Sequence, residues 1–143
     1  MTERIEMPRW ECLELAAGTP IGRLCIIDRG YPLAFPVNIR LEQAGDMLRF
    51  VMRTAPHTAL AAHAGPASIE LDHVDLDGRS AWSVIVRGEL RREPNPLGLP
   101  DPHPLVEQGR STWLVLDVTA ISGRRFAVSR SDGPFLVEWQ MVD

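Results

Sequence analysis

Basic residues are in short supply: fifteen Lys and Arg stand against nineteen Asp and Glu, for a formal net charge of −4. A general nucleic-acid binder displaces counterions with an excess of cations, so this balance excludes that class while leaving room for a local basic pocket. Cysteine is scarce as well. Cys12 and Cys25 form neither a CxxC pair nor a zinc spacing, and each sits in an apolar context that suits a buried thiol. No uninterrupted apolar run approaches the ~20 residues of a membrane span, and no charged-then-apolar leader is visible. A cytoplasmic, reduced protein without membrane or nucleic-acid partners is the expectation.

Several catalytic signatures are missing too. There is no GxGxxG or Walker loop, no GxSxG elbow and no HExxH. His57, His63, His73 and His103 are scattered, so no metal site is expected. Asp72, Asp75, Asp77 and Gly78 resemble part of a calcium loop, but no glutamate stands at its closing position, and a turn between strands accounts for them. Neither an internal repeat nor a domain boundary is seen. The 143 residues are read as one domain, long enough to bury roughly 68 to 70% of the surface its unfolded chain exposes.

What is present is alternation. Leu33, Phe35, Val37, Ile39 and Leu41 alternate with Ala34, Pro36, Asn38 and Arg40, the period of a strand with one buried face. Gly45 and Asp46 mark a turn, after which Leu48, Phe50 and Met52 alternate with Arg49, Val51 and Arg53, completing a hairpin. Pro36 cannot donate a ladder hydrogen bond, so the strand is expected to be an edge, a bulge or open there. The amides of Val37 and Asn38 would then face water or the polar edge of a planar heterocycle. Beyond the hairpin, Thr54 is expected to cap a helix with Pro56 in its first turn, over the helix formers 59–64. A strand feeding a helix start through Arg53 and Thr54 offers an anion cradle.

Elsewhere, residues 1–7 read as frayed, 8–17 as a short helix closed by Gly18, and 22–27 and 67–74 as strands. Asp77-Gly78 signals a hairpin into a long strand over 80–92, where Gly88 suggests a bulge. Residues 93–104 hold five prolines and read as an extended connector. A short helical piece is expected over 105–108, a strand over 112–122 and a further edge strand over 135–141. Trp10, Trp82, Trp113 and Trp139 read as core or interface anchors. Six or seven strands joined mostly by hairpins, with two short helices, find their natural closure in an antiparallel barrel.

In order along the chain, Gly22-Arg23-Leu24, Phe35-Pro36-Val37-Asn38, Arg53-Thr54-Ala55 through Thr58, Trp82 to Gly88, and Gly123-Arg124-Arg125 resemble the pyridoxamine 5′-phosphate oxidase-like flavin-binding split-barrel family, over residues 8–125. The resemblance implies a mainly β fold: a six-stranded antiparallel split β-barrel of Greek-key type with two or three short helices, residues 1–143 forming a single FMN-binding domain. It implies a homodimer with flavin mononucleotide (FMN) in clefts at the subunit interface. Backbone at Pro36, Val37 and Asn38 would meet the ring's polar edge. Arg53, Thr54 and Thr58 would approach the phosphate, and Trp82 and Ser83 would cross from the partner. Arg124 and Arg125 either add charge for the phosphate or form a solvated pair at a strand end.

Two positions depart from the family pattern. Ala59 stands where a basic residue usually follows the phosphate-loop hydroxyl, and His57 stands where a glycine precedes it. Losing a charge-assisted phosphate contact removes on the order of 1.5 to 3 kcal/mol, tenfold or more in affinity; either His57 or Arg53 compensates, or the site has drifted to bind something else or nothing tightly. The tail beyond Arg125 lacks the arginine and proline pattern by which true pyridoxamine phosphate oxidases hold their substrate. The expected function is therefore an FMN-dependent oxidoreductase acting on a small molecule other than a B6 vitamer. A deazaflavin-dependent reductase and a non-catalytic, degenerate flavin-binding protein acting as a carrier or sensor are the alternatives.

Overall fold

The computed structural model describes residues 2–56, 58–104 and 109–128. In chain order they form β1 (Thr2–Glu6), α1 (Arg9–Ala17), β2 (Ile21–Asp28), β3 (Tyr31–Asn38), β4 (Arg40–Ala44), β5 (Met47–Thr54), α2 (Ala59–Ala62), β6 (Gly65–Asp75), β7 (Ser80–Glu93) and β8 (Thr112–Val128). The elements expected over 105–108 and 135–141, together with His57 and Trp139, lie outside the described residues.

The ladders are antiparallel and join the strands into one eight-stranded sheet in the order β3-β2-β6-β7-β8-β5-β4, with β1 also on β8. This corrects the expected six-stranded closed split barrel. The strand count is eight, and among the described residues no ladder joins β3 to β4 at the two ends of the path.

The chemistry of β3 explains the open edge. Ile39 donates its N–H to the Pro20 carbonyl at 2.9 Å, and Asn38 stands opposite Ile21, so the odd-numbered residues of β3 are those bonded to β2. Pro32, Ala34, Pro36 and Asn38 turn their backbone polar groups to the other side. Two of those four positions lack an N–H, and a closing strand would find half its donors missing. The continuous strand expected through residue 41 accordingly breaks at Ile39.

Two further differences concern the ends of the sheet. Residues 2–6, expected to be frayed, pair with the end of β8, from Thr2 opposite Val128 to Glu6 opposite Arg124. β8 in turn continues past Ser122 to Val128, because β7 flanks it on one side and β1 on the other.

Leu24, Ile26, Phe50, Met52, Ile69, Leu71, Val84, Val86, Leu90, Leu114 and Leu116 form the core on the sheet's inner face, and Cys12 and Ala16 of α1 pack against it. Gly123 lets that helix approach: a Cβ there would lie 2.6 Å from Met7 Cε and 2.8 Å from Cys12 Sγ. At Gly88 the β7–β8 register shifts, as the sequence suggested. Cys12 is buried and Cys25 half-buried, both as free thiols. Trp82 packs against the core, whereas Trp10 is 65% exposed rather than an anchor of this fold. Among the described residues no helix is long and apolar enough to cross a membrane.

Candidate functional site

The last residues of β3 and β5, with the turn into α2, wall a cavity of about 330 Å³. Ile21, Phe35, Pro36, Val37, Leu60 and Pro104 give it apolar sides; Asn38, Arg53, Thr54, Thr58 and Arg110 give it polar ones. Pro36, Val37, Asn38, Arg53, Thr54 and Thr58, singled out in the sequence from two separate segments, thus meet at one place. The mixture of apolar walls and a few convergent polar groups, at this size, is that of a small-molecule site.

Strand parity separates the two amides expected to face the ligand. Val37 stands opposite Gly22 on the β2-bonded side of β3, so its N–H belongs to the ladder, while the backbone of Asn38 turns to the outer side.

The helix start also differs from expectation. Thr58, not Thr54, is the N-cap of α2, its hydroxyl accepting from the Ala61 N–H at 3.1 Å. The same hydroxyl donates to the Ala55 carbonyl at 3.1 Å and lies 3.1 Å from the Thr54 hydroxyl. With its one proton directed to Ala55, Thr58 accepts from Thr54. Both hydroxyl protons are therefore engaged within the loop.

Arg53 is held from three directions. Its Nε donates to the Arg110 carbonyl at 3.0 Å, its Nη1 reaches the two Asp101 oxygens at 3.1 and 3.3 Å, and its guanidinium carbon stands 5.2 Å from the centre of the Trp113 ring. The Asp101 carboxyl also accepts from the His103 N–H at 2.9 Å. That amide first, and Arg53 after it, hold the Asp101 carboxyl below its usual range.

The remaining expected residues lie elsewhere on the sheet. Trp82 and Ser83 of β7 stand opposite Arg125 and Arg124 of β8, and none of the four lines the cavity. Arg125 pairs with Glu11 of α1.

Sequence reading missed Ile21, Phe35, Leu60, Pro104 and Arg110 as lining residues and Asp101 as the partner of Arg53. Phe35 was accessible in principle, since it adjoins Pro36. Arg110 and Asp101 reach the site only through the β5–β8 register, which sets Thr54 opposite Thr112 and Arg53 opposite Trp113. No local pattern encodes that pairing. Among the described lining residues there is no carboxylate and no histidine, and their polar groups are cationic or neutral.

A family model described as pyridoxamine 5′-phosphate oxidase matches residues 8–125. No curated protein matches the chain. Among solved structures, the FAD binding protein from Mycobacterium smegmatis shares 26% identity, with 86% of this chain and 98% of that one covered at a TM-score of 0.65. A conserved protein of unknown function from Corynebacterium diphtheriae shares 23% identity, with 87% and 98% covered at a TM-score of 0.70. A FAD-binding protein from Mesorhizobium loti shares 18% identity, with 90% and 100% covered at a TM-score of 0.71. At those last two identities the likeness is one of fold alone.

Proposed function

The chain belongs to the pyridoxamine 5′-phosphate oxidase family, its match running from residue 8 to residue 125, and from that premise we propose that it binds a flavin in the cavity between β3 and β5. FMN is the flavin we favour, a deazaflavin coenzyme the alternative, and a small oxidoreductase the activity, with residues 1–143 acting as one flavin-binding unit. The observation that carries this reading is the convergence of Pro36, Val37, Asn38, Arg53, Thr54 and Thr58 on one cavity. The binding of FAD by the Mycobacterium smegmatis relative supports a flavin as the ligand class.

The donor set suits such a ligand. Phe35, Ile21 and Leu60 offer apolar contact to a planar ring, Asn38 offers polar groups to its edge, and Arg53 and Arg110 supply positive charge for a phosphate. A bound flavin supplies the electron-carrying chemistry. The chain's own part is to bind, orient and exclude water.

We further propose that the working unit is a homodimer. Trp82, Ser83, Arg124 and Arg125 lie away from the cavity of their own chain, so a second copy has to bring them to it if they touch the flavin at all. Under this reading, Trp82→Ala weakens flavin binding in the dimer.

Two observations favour a non-catalytic carrier or sensor as the second reading. Ala59 replaces a basic residue, and the hydroxyl protons of Thr54 and Thr58 are already engaged, which weakens the phosphate side. Purification tests both at once. A yellow protein whose flavin absorbance is released on denaturation supports cofactor binding, and turnover with reduced nicotinamide and an artificial acceptor separates enzyme from carrier. A colourless protein that takes up neither FMN, FAD nor the deazaflavin defeats both.

A further inference from the structure

The connector over residues 94–104 has five prolines and no place in the sheet, yet it delivers one carboxylate to Arg53 of the cavity. From the contacts around that arginine we infer that Asp101 is a positioning residue: it orients the Arg53 guanidinium so that one edge of it faces a phosphate-bearing ligand. This rests on the flavin reading and deepens it, by assigning the phosphate end to a particular edge of Arg53 and making the connector part of the site.

The geometry is that of a clamp applied from outside the cavity. Neither Asp101 nor Trp113 lines the cavity, whereas Arg53 does. The Arg53 guanidinium carbon lies over the Trp113 ring, the Arg110 carbonyl takes Nε, and the Asp101 carboxylate takes Nη1. An arginine has five donors in a fixed fork; with Nε given to the Arg110 carbonyl and Nη1 to Asp101, Nη2 is the nitrogen left for the ligand under this proposal. Asp101 can hold that orientation because it is itself held. The His103 amide binds its Oδ1, and Pro102 and Pro104 on either side of His103 are buried. Prolines at 100, 102 and 104 also restrict the chain that carries it. An arginine fixed before the ligand arrives loses little rotamer freedom on binding, which is the usual gain from preorganisation.

The test compares FMN with riboflavin, which has the same ring and no phosphate. In Asp101→Ala, FMN affinity should fall about tenfold, the size of one charge-assisted contact, while riboflavin affinity stays as in the unaltered protein. Asp101→Asn, which keeps the side chain's shape and an acceptor oxygen, should fall between. A merely structural role for Asp101 would move FMN and riboflavin together. That result, or no change in either, overturns the proposal, as does tighter FMN binding, which would make the carboxylate a competitor of the phosphate. A flavin-free readout keeps the two readings apart. Removing the carboxylate should alter tryptophan emission in the wild-type background and leave it unaltered when Arg53→Ala or Trp113→Phe is already present. A protein that takes up no flavin but shows this dependence defeats the functional reading and leaves the clamp standing, whereas emission indifferent to Asp101 removes the clamp.

Discussion

The hydroxyls of Thr54 and Thr58 stand 3.1 Å apart, one at the end of β5 and the other at the cap of α2. Thr54 is only 4% exposed, so its hydroxyl depends on this partner. Thr58→Ala removes the α2 cap, a loss of about 1 kcal/mol, and leaves the buried Thr54 hydroxyl without its acceptor, about 1 kcal/mol more. Urea denaturation should therefore show a loss of about 2 kcal/mol for Thr58→Ala and much less for Thr58→Ser. Equal stability of the two variants would show that this pair does not hold the loop.

A methyl group at Gly88 meets backbone rather than a yielding side chain. A Cβ there would lie 2.2 Å from the Asp117 carbonyl oxygen and 2.9 Å from its carbon, at the point where the β7–β8 register slips. Gly88→Ala should destabilise the protein by about 1 to 3 kcal/mol or more, the range of overpacking in a closed site. Thermal melting checks this, and a variant that melts with the wild type would mean that β8 shifts freely at Thr119.

On β2 and β6, Arg23 bridges Glu70 and Asp72, each at 2.9 Å. Burial first, and then the neighbouring Asp72, push the Glu70 carboxyl up to about 7, against the opposing pull of Arg23. Because the folded state holds this proton more tightly than the unfolded chain, its contribution is full below the ordinary glutamate range and is lost as pH rises through about 7. Wild-type stability should fall between about pH 4.5 and 7, with a slope of at most about 1.4 kcal/mol per pH unit from this group. Glu70→Gln should flatten that slope. Denaturation midpoints measured across this range decide the matter, and a wild type and variant with parallel profiles would contradict it.

Local chemistry accounts for what the sequence made legible. Gly45 marks the β4–β5 turn by its left-handed backbone, and Asp75 holds the β6–β7 turn by accepting from the Gly78 N–H at 2.9 Å. Gly88 marks an irregularity because the Asp117 carbonyl leaves no room for a Cβ, and Pro36 identifies an edge strand by its missing donor. The illegible parts depend on distant pairing. β1 has no apolar period of its own and exists through its ladder with the far end of β8. The Gly123-Arg124-Arg125 segment looks like a strand's end, yet neighbours on both sides extend it. In the site, the β3 and β5 residues follow from their strands, while Asp101 and Arg110 arrive by a register between residues some fifty positions apart. The expectation of a barrel rests on the tendency of sheets to hide their edges, and the two prolines of β3 protect this edge in another way.

A crystal structure of the protein grown with FMN measures the central claim most directly. The account predicts one flavin per chain, its ring against Phe35 and the outer side of β3 at Asn38 and its phosphate on the Nη2 edge of Arg53. Flavin lodged elsewhere on the sheet, or a cavity that stays free of it at saturating FMN, would contradict the account.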